Sequence, residues 1–141
     1  MNFQCFKYLV PAVVILLSLQ SSFGQQQECT LGVGGKDNEV IIQVFQLNQE
    51  QQQKLEEWSG EFLLIQKEHR DNVRELFDTH PQDTPSQLLQ MSEKFALLKE
   101  ELLTASRNID RKLLALFNDR QYMRYIELCE EVKRRPMLRS E

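Results

Sequence analysis

Two long stretches of the chain carry seam residues, nearly all apolar, at steps of three and four, and this pattern constrains the fold more than any other feature. The first series is Leu55, Trp58, Phe62, Ile65, His69 and Leu76. The second is Leu88, Met91, Phe95, Leu98, Leu102, Ala105, Ile109 and Leu116. A stripe that recurs about every 3.5 residues keeps one face of a helix against a partner helix. The spacing predicts two helices of about 30 residues, each roughly 45 Å long at ~1.5 Å per residue.

The segments around the stripes predict how the helices are connected. Residues 78–85 (DTHPQDTP) hold two prolines and several turn formers, a length suited to an antiparallel αα-hairpin. A shorter helix is predicted from about Asn118 to Pro136, with one face formed by Tyr122, Tyr125, Ile126, Cys129 and Val132. The predicted fold class is all-α, a long helical hairpin plus a shorter C-terminal helix.

Each predicted helix begins with the same hydrogen-bonding device, a capping box. The pairs are Asn48 with Gln51, Thr84 with Gln87, and Asn118 with Gln121. In such a box the first side chain accepts a hydrogen bond from the N3 amide, and the glutamine accepts one from the N-cap amide. Three boxes predict three helix starts. Loss of the Asn118 side chain is expected to cost more stability than loss of the Gln121 side chain.

The N-terminus has the pattern of a secretory signal. Lys7 precedes an apolar run from Leu9 to Leu19, and small residues follow at Ser22 and Gly24. The run is shorter than the ~20 residues of a spanning helix. The sequence therefore predicts a signal peptide over residues 1–24, cleavage after Gly24, no stable membrane anchor, and a location in the periplasm of a bacterial envelope.

The remaining segments are predicted to lie outside the helical domain, which covers residues 48–135. Residues 25–47 are expected to be a flexible or extended leader, since their first part is rich in Gln and Gly and lacks periodicity. The apolar run Glu39–Leu47 fits a short strand, an extended arm or a helical turn, and the sequence does not decide between them. Residues 136–141 are expected to form a tail.

Composition and motifs argue against several classes of function. The chain from residue 25 onward has 16 basic and 21 acidic residues, and no basic face for nucleic acid stands out. No phosphate loop, nucleophile elbow or HExxH motif is present. The sequence therefore predicts a non-catalytic protein that uses no cofactor.

Two cysteines follow the predicted cleavage site, Cys29 in the leader and Cys129 in the last helix. An exported pair can be oxidised, and a bond between them would close a loop of about 100 residues, worth at most ~4–5 kcal/mol. The alternative is that Cys129 is a small buried apolar side chain and Cys29 a free thiol. Both interpretations remain open.

Metal binding finds little support in the sequence. The two histidines, His69 and His80, lie far apart, and no Cys/His spacing typical of zinc is present. His69 falls on the seam of the predicted hairpin, where a packed or hydrogen-bonded histidine is the simpler interpretation. It remains only a weak metal candidate.

Two of the capping boxes share an apolar residue ahead of the cap. They read Leu47-Asn48-Gln49-Glu50-Gln51 and Phe117-Asn118-Asp119-Arg120-Gln121. This pattern resembles the LTxxQ motif that occurs twice in the Spy and CpxP family of periplasmic stress proteins, where the copies open the helical hairpin and the final helix. Asn replaces Thr in both copies, and Phe replaces Leu in the second. The acidic balance also departs from the basic client surface of Spy-like members.

The resemblance implies a homodimer of hairpins that forms a curved cradle and binds unfolded or partly folded envelope proteins without ATP. The residues favour the same function, because several leucines lie beyond the stripe and exceed what one hairpin can bury: Leu63, Leu64, Leu89, Leu103 and Leu114. The candidate client surface consists of Leu64, Leu103, Arg107 and Arg111. The alternatives are a sensor or inhibitor subunit of an envelope signalling system, and a metal-binding or metal-resistance protein.

Overall fold

The computed structural model describes residues 27–139, which form four helices and one pair of short strands. In chain order these are β1 (Glu28–Cys29), α1 (Asn38–Phe45), α2 (Gln49–Thr79), α3 (Pro85–Ala115), α4 (Asp119–Glu131) and β2 (Arg135–Pro136). The predicted signal peptide lies outside the described residues. Among the described helices, none combines the length and the hydropathy needed to cross a membrane.

The two stripes form the predicted helical hairpin. α2 and α3 contain 31 residues each and are joined by residues 80–84. They contact one another along the hairpin, and Phe77 packs against Phe95 near the connection. All three capping boxes are present, with both of their hydrogen bonds. The predictions of the hairpin, of the shorter C-terminal helix and of the three helix starts are confirmed.

Residues 38–45 form a helix, α1, which resolves the alternatives that the sequence left open. Ile41 and Phe45, one turn apart, are buried against the core, and this burial outweighs the strand propensity of the β-branched run. Gln46 has a φ of 50° and ends the helix, because the amide of Leu47 then reaches the carbonyl of Ile42 at 3.1 Å. The expected flexible or extended leader is therefore wrong for these residues.

The last helix ends earlier than predicted, and the chain turns back along it. Lys133 has a φ of 55°, and the amide of Arg134 donates to the carbonyl of Cys129 at 2.9 Å, which terminates the helix. The chain then forms β2, which pairs in parallel with β1. Pro136, predicted as the helix end, lies in this strand, and Met137, expected in a tail, is buried. The fold is mostly helical, with one strand pair that the all-α prediction lacked.

The hydrophobic core lies at one end of the hairpin, which we call the base. It contains residues from β1, α1, α4, the adjoining ends of α2 and α3, and the segments that connect or follow these elements: Cys29, Val33, Ile41, Phe45, Leu47, Leu55, Phe62, Ile109, Leu113, Leu114, Phe117, Tyr125, Cys129 and Met137. The other end, which we call the arm, consists of residues 63–108. Within this described range no residue is buried, and seam residues such as Leu76 and Leu98 are half-buried. Two helices cover only one stripe of each other, so the rest of the arm faces solvent.

Candidate interaction surface

Two glutamines hold the base of the hairpin together. Gln51 of α2 and Gln121 of α4 are buried, and the Nε2 of each donates to the Oε1 of the other, at 2.8 and 2.9 Å. Gln51 also donates to the carbonyl of Leu116 at 2.7 Å, and Gln121 to that of Phe45 at 3.0 Å. Each Oε1 further accepts from the N-cap amide of its own helix. The predicted caps therefore join two regions that are distant in sequence, residues 45–51 and residues 116–121.

This junction reverses the expected ranking of two substitutions. Asn118→Ala removes a cap and should lower the free energy of unfolding by about 0.5–2 kcal/mol. Gln121→Ala should cost more, because it leaves polar groups of Gln51 and Phe45 buried without this partner, at about 1–3 kcal/mol each. Chemical denaturation measures both. Gln87→Ala is the matched control, since the Gln87 side-chain oxygen accepts only local amides in an exposed box. Equal losses for Gln121→Ala and Gln87→Ala would contradict this role of the junction.

Residues 28–37, which we call the strap, lie across the base and are held there by a buried carboxylate. Asp110 of α3 is fully buried and accepts hydrogen bonds from the amides of Leu31, Gly32 and Val33, at 2.9, 3.2 and 3.0 Å. Successive backbone amides form a concave site for an anion, so the strap wraps around this side chain. No signal in the sequence indicated this contact, because Asp110 resembles the other charged residues that flank the stripe.

The environment of Asp110 predicts a pH-dependent stability. Burial raises the pKa of its carboxyl group above the ordinary value of 3.8, although the three strap amides oppose this shift. The folded protein therefore takes up the proton at a higher pH than the unfolded chain does. At a pH above both pKa values the buried, ionised carboxylate lowers the free energy of unfolding. This loss is recovered as the pH falls from the pKa of the folded state to that of the unfolded state. Wild type should therefore gain stability relative to Asp110→Asn between neutral pH and about pH 4. Denaturation at several pH values tests this, and a constant difference would contradict it.

A disulfide and two tyrosines tie the strap and the segment after β2 to α4. Cys29 and Cys129 form a disulfide and are both buried, so the bonded alternative is the one present. The Tyr125 hydroxyl donates to the carbonyl of Cys29 at 2.6 Å and accepts from the amide of Met137 at 2.8 Å. The hydroxyl of Tyr122 donates to the Met137 carbonyl at 3.1 Å. The strap and the C-terminal segment are thus fixed to the same helix.

The arm presents apolar side chains to solvent. Fifteen large apolar side chains are exposed in the described part of the chain, and nine of them belong to the arm: Leu63, Leu64, Ile65, Phe77, Leu88, Leu89, Phe95, Leu97 and Leu103. The candidate client residues Leu64 and Leu103 are exposed to 71% and 39%. Leu114, which the sequence also placed beyond the stripe, is instead buried in the base. Exposed apolar surface is concentrated where nothing covers the hairpin.

The two arginines of the predicted client surface are already paired with the strap. Arg107 Nε lies 3.1 Å from Glu28 Oε2, and Arg111 Nη2 lies 3.9 Å from Glu28 Oε1. Arg135 of β2 approaches the same carboxylate at 3.4 Å, and Arg107 also contacts Glu100 at 3.0 Å. We call Arg107, Arg111 and Arg135 the arginine cluster. In this structure the three arginine side chains approach Glu28 and remain partly exposed, and Arg107 lies one helical turn from Leu103 of the arm.

His69 is half-buried between the two helices of the arm. It lines a small cavity with Ile65 and Asn72 of α2 and with Leu98 and Leu102 of α3. Within residues 27–139, no group of three or more His, Cys, Asp and Glu side chains is placed to hold a metal ion. The position of His69 is that of a seam residue.

Comparison of the chain with models of protein families, with curated proteins and with solved structures yields no significant match.

Proposed function

We propose that this protein binds unfolded or partly folded envelope proteins on the apolar arm of its hairpin, without nucleotide. The observation that carries the proposal is the contrast between the two ends of the molecule. The base contains all fourteen buried apolar residues of the described chain, whereas the arm, from 63 to 108, contains none and has nine of the fifteen exposed large apolar side chains. Exposed apolar surface of this kind is typical of an interaction site.

The strength of such binding follows from the size of the side chains. Burying one leucine fully contributes about 1.5–3 kcal/mol, so contact with a few arm leucines holds an unfolded segment reversibly. Binding the unfolded chain in this way limits its aggregation without any chemical step. The resemblance to Spy and CpxP proteins supports the same function.

A periplasmic location is part of this proposal. The N-terminal sequence has the pattern of an export signal, and the disulfide between Cys29 and Cys129 is compatible with an oxidising compartment. No nucleotide is expected there, which agrees with a mechanism that relies on contact alone.

The arm also favours a homodimer, because a second hairpin would cover part of its apolar surface. We expect the protein to be dimeric, with the partner's hairpin forming the other half of a curved cradle. Light scattering at tens of micromolar protein measures this. A monomer at that concentration would contradict the dimer and would leave the whole arm available to other proteins.

Aggregation of a chemically unfolded, unrelated substrate tests the proposed function. The protein should slow aggregation at near-stoichiometric ratio without nucleotide. Salt should weaken only the part that depends on exposed charge, because charges are screened within ~10 Å at 0.1 M. Absence of protection at several-fold excess over different substrates would contradict the proposal and favour a signalling adaptor. Protection only with added zinc or copper would favour the metal-binding alternative.

A further inference from the structure

The arginine cluster forms a carboxylate site that the chain fills with its own strap. Three guanidinium groups, from Arg107, Arg111 and Arg135, surround the single carboxylate of Glu28. Glu100 forms a second ion pair with Arg107 alone. Within these ion pairs three positive charges therefore face two negative charges. Guanidinium groups pair strongly and directionally with carboxylates. The chemistry of the cluster therefore fits an acidic side chain, whether from this chain or from another.

We call the surface under the strap, formed by β2, Asp110 and the arginine cluster, the groove. It holds residues 28–29 as a strand and residues 32–35 as a turn in which Gly32 and Gly34 have φ values of 77° and 80°. β1 pairs in parallel with β2, and the amide of Arg135 donates to the carbonyl of Gln27 at 3.0 Å. Asp110 accepts from three successive strap amides, and Val33, five residues after Glu28, is 1% exposed. The main-chain contacts favour a glycine at the position of Gly32, which has a positive φ, and the carboxylate and the apolar side chain add selectivity.

Apart from the peptide bond to α1, the disulfide between Cys29 and Cys129 is the covalent link that joins the strap to the rest of the base. A dithiol, either a small molecule or a thiol–disulfide exchange protein, breaks this link by thiolate attack through a mixed disulfide. The S–S bond accepts two electrons, each cysteine sulfur gains a proton, and the dithiol becomes a disulfide. The other contacts of the strap are non-covalent and can open reversibly.

We propose that the strap is a redox-controlled cover over this groove, with Glu28 as an internal stand-in for the ligand. After reduction the strap leaves, and the groove binds an acidic segment of an unfolded protein that has a glycine where the strap has Gly32. The segment's carboxylate takes the place of Glu28, and an apolar side chain takes the place of Val33. The choice of an unfolded chain as ligand rests on the proposed function, but the opening of the strap does not.

Hydrogen exchange of the strap amides tests the opening. In the oxidised protein the amides of Leu31, Gly32 and Val33 should be protected, and treatment with a dithiol should reduce their protection at least tenfold. Circular dichroism should show that the helices remain. Unchanged protection, or loss of the helices together with the strap, would overturn the proposal.

A peptide of residues 27–35 carrying Cys29→Ser tests the groove. Fluorescence anisotropy should show at least tenfold tighter binding to the reduced protein than to the oxidised one. Reduced Glu28→Gln protein should bind most tightly, because its own strap competes less. The peptide that also carries Glu28→Gln should bind weakly to the reduced protein. Reduced Arg107→Gln protein should also bind the acidic peptide weakly. Reduced Arg124→Gln protein, changed on α4 outside the cluster, is the control and should bind the acidic peptide as wild type does.

Equal binding to both redox states, or equal binding of the acidic and neutral peptides, would overturn the proposal. These results are separable from the function of the arm. Protection against aggregation by the oxidised protein, whose groove is covered, tests the arm alone. Either proposal, the opening of the strap or the binding of unfolded proteins by the arm, can therefore be contradicted while the other holds.

Discussion

Removing the disulfide with Cys29→Ala and Cys129→Ala together should lower the free energy of unfolding by roughly 4–5 kcal/mol. The two cysteines are separated by 100 residues, and cross-linking a long loop removes much of the entropy of the unfolded chain. Part of the loss also comes from the strap, because its hydrogen bonds to Asp110 and Tyr125 are lost when it detaches. Chemical denaturation of the oxidised wild type and of the double variant measures the difference.

The matched control for this prediction is reduction itself. Reduced wild type should be about as stable as the double variant, and the same reductant should leave the double variant unchanged. A loss below about 1 kcal/mol would mean that the unfolded chain is already compact or that the bond strains the folded state. Either result would contradict the role assigned to the disulfide.

The parts of the fold that were predictable from sequence are those specified by neighbouring residues. The stripe from Leu55 onward, the prolines of the connection and the three capping boxes each act within a few residues, and all of them appear as predicted. Helix α1 was left undecided because its local preference for strand competes with the burial of Ile41 and Phe45. That burial depends on segments far along the chain.

In the candidate sites, too, local features were predictable from sequence and long-range contacts were not. Leu64 and Leu103 are exposed, as their position beyond the stripe predicted, whereas Leu114, predicted in the same way, is buried in the base. The pairing of Arg107 with Glu28, and of Asp110 with the strap amides, joins residues almost eighty positions apart. No local spacing encodes such contacts. Gln51 and Gln121 were recognised as caps from their local spacing, while their hydrogen bonds to each other were not.

Replacing the arm leucines should remove much of the protection against aggregation. Leu64→Ser and Leu103→Ser each take away a side chain whose full burial against a client contributes about 1.5–3 kcal/mol, which corresponds to roughly tenfold or more in affinity. Both side chains face solvent in the free protein, so helicity should change little. The aggregation assay and circular dichroism measure the two effects on the same samples.

Leu138→Ser is the control for these variants. Leu138 is 84% exposed but follows β2, away from the arm, so the same chemical change there should leave the protection intact. If Leu138→Ser weakens the protection as much as Leu64→Ser does, the effect reflects general surface hydrophobicity and the arm has no special role.

Hydrogen exchange of the protein with and without a permanently unfolded substrate locates the binding surface directly. A substrate that covers the arm should slow exchange within residues 63–108, where the helices are half-buried at most, and should leave the amides of the buried base unchanged. The proposed function predicts that the slowed amides lie in both helices of the arm. Slowed exchange restricted to the base, or no change at saturating substrate, would contradict the claim that the hairpin arm binds unfolded proteins.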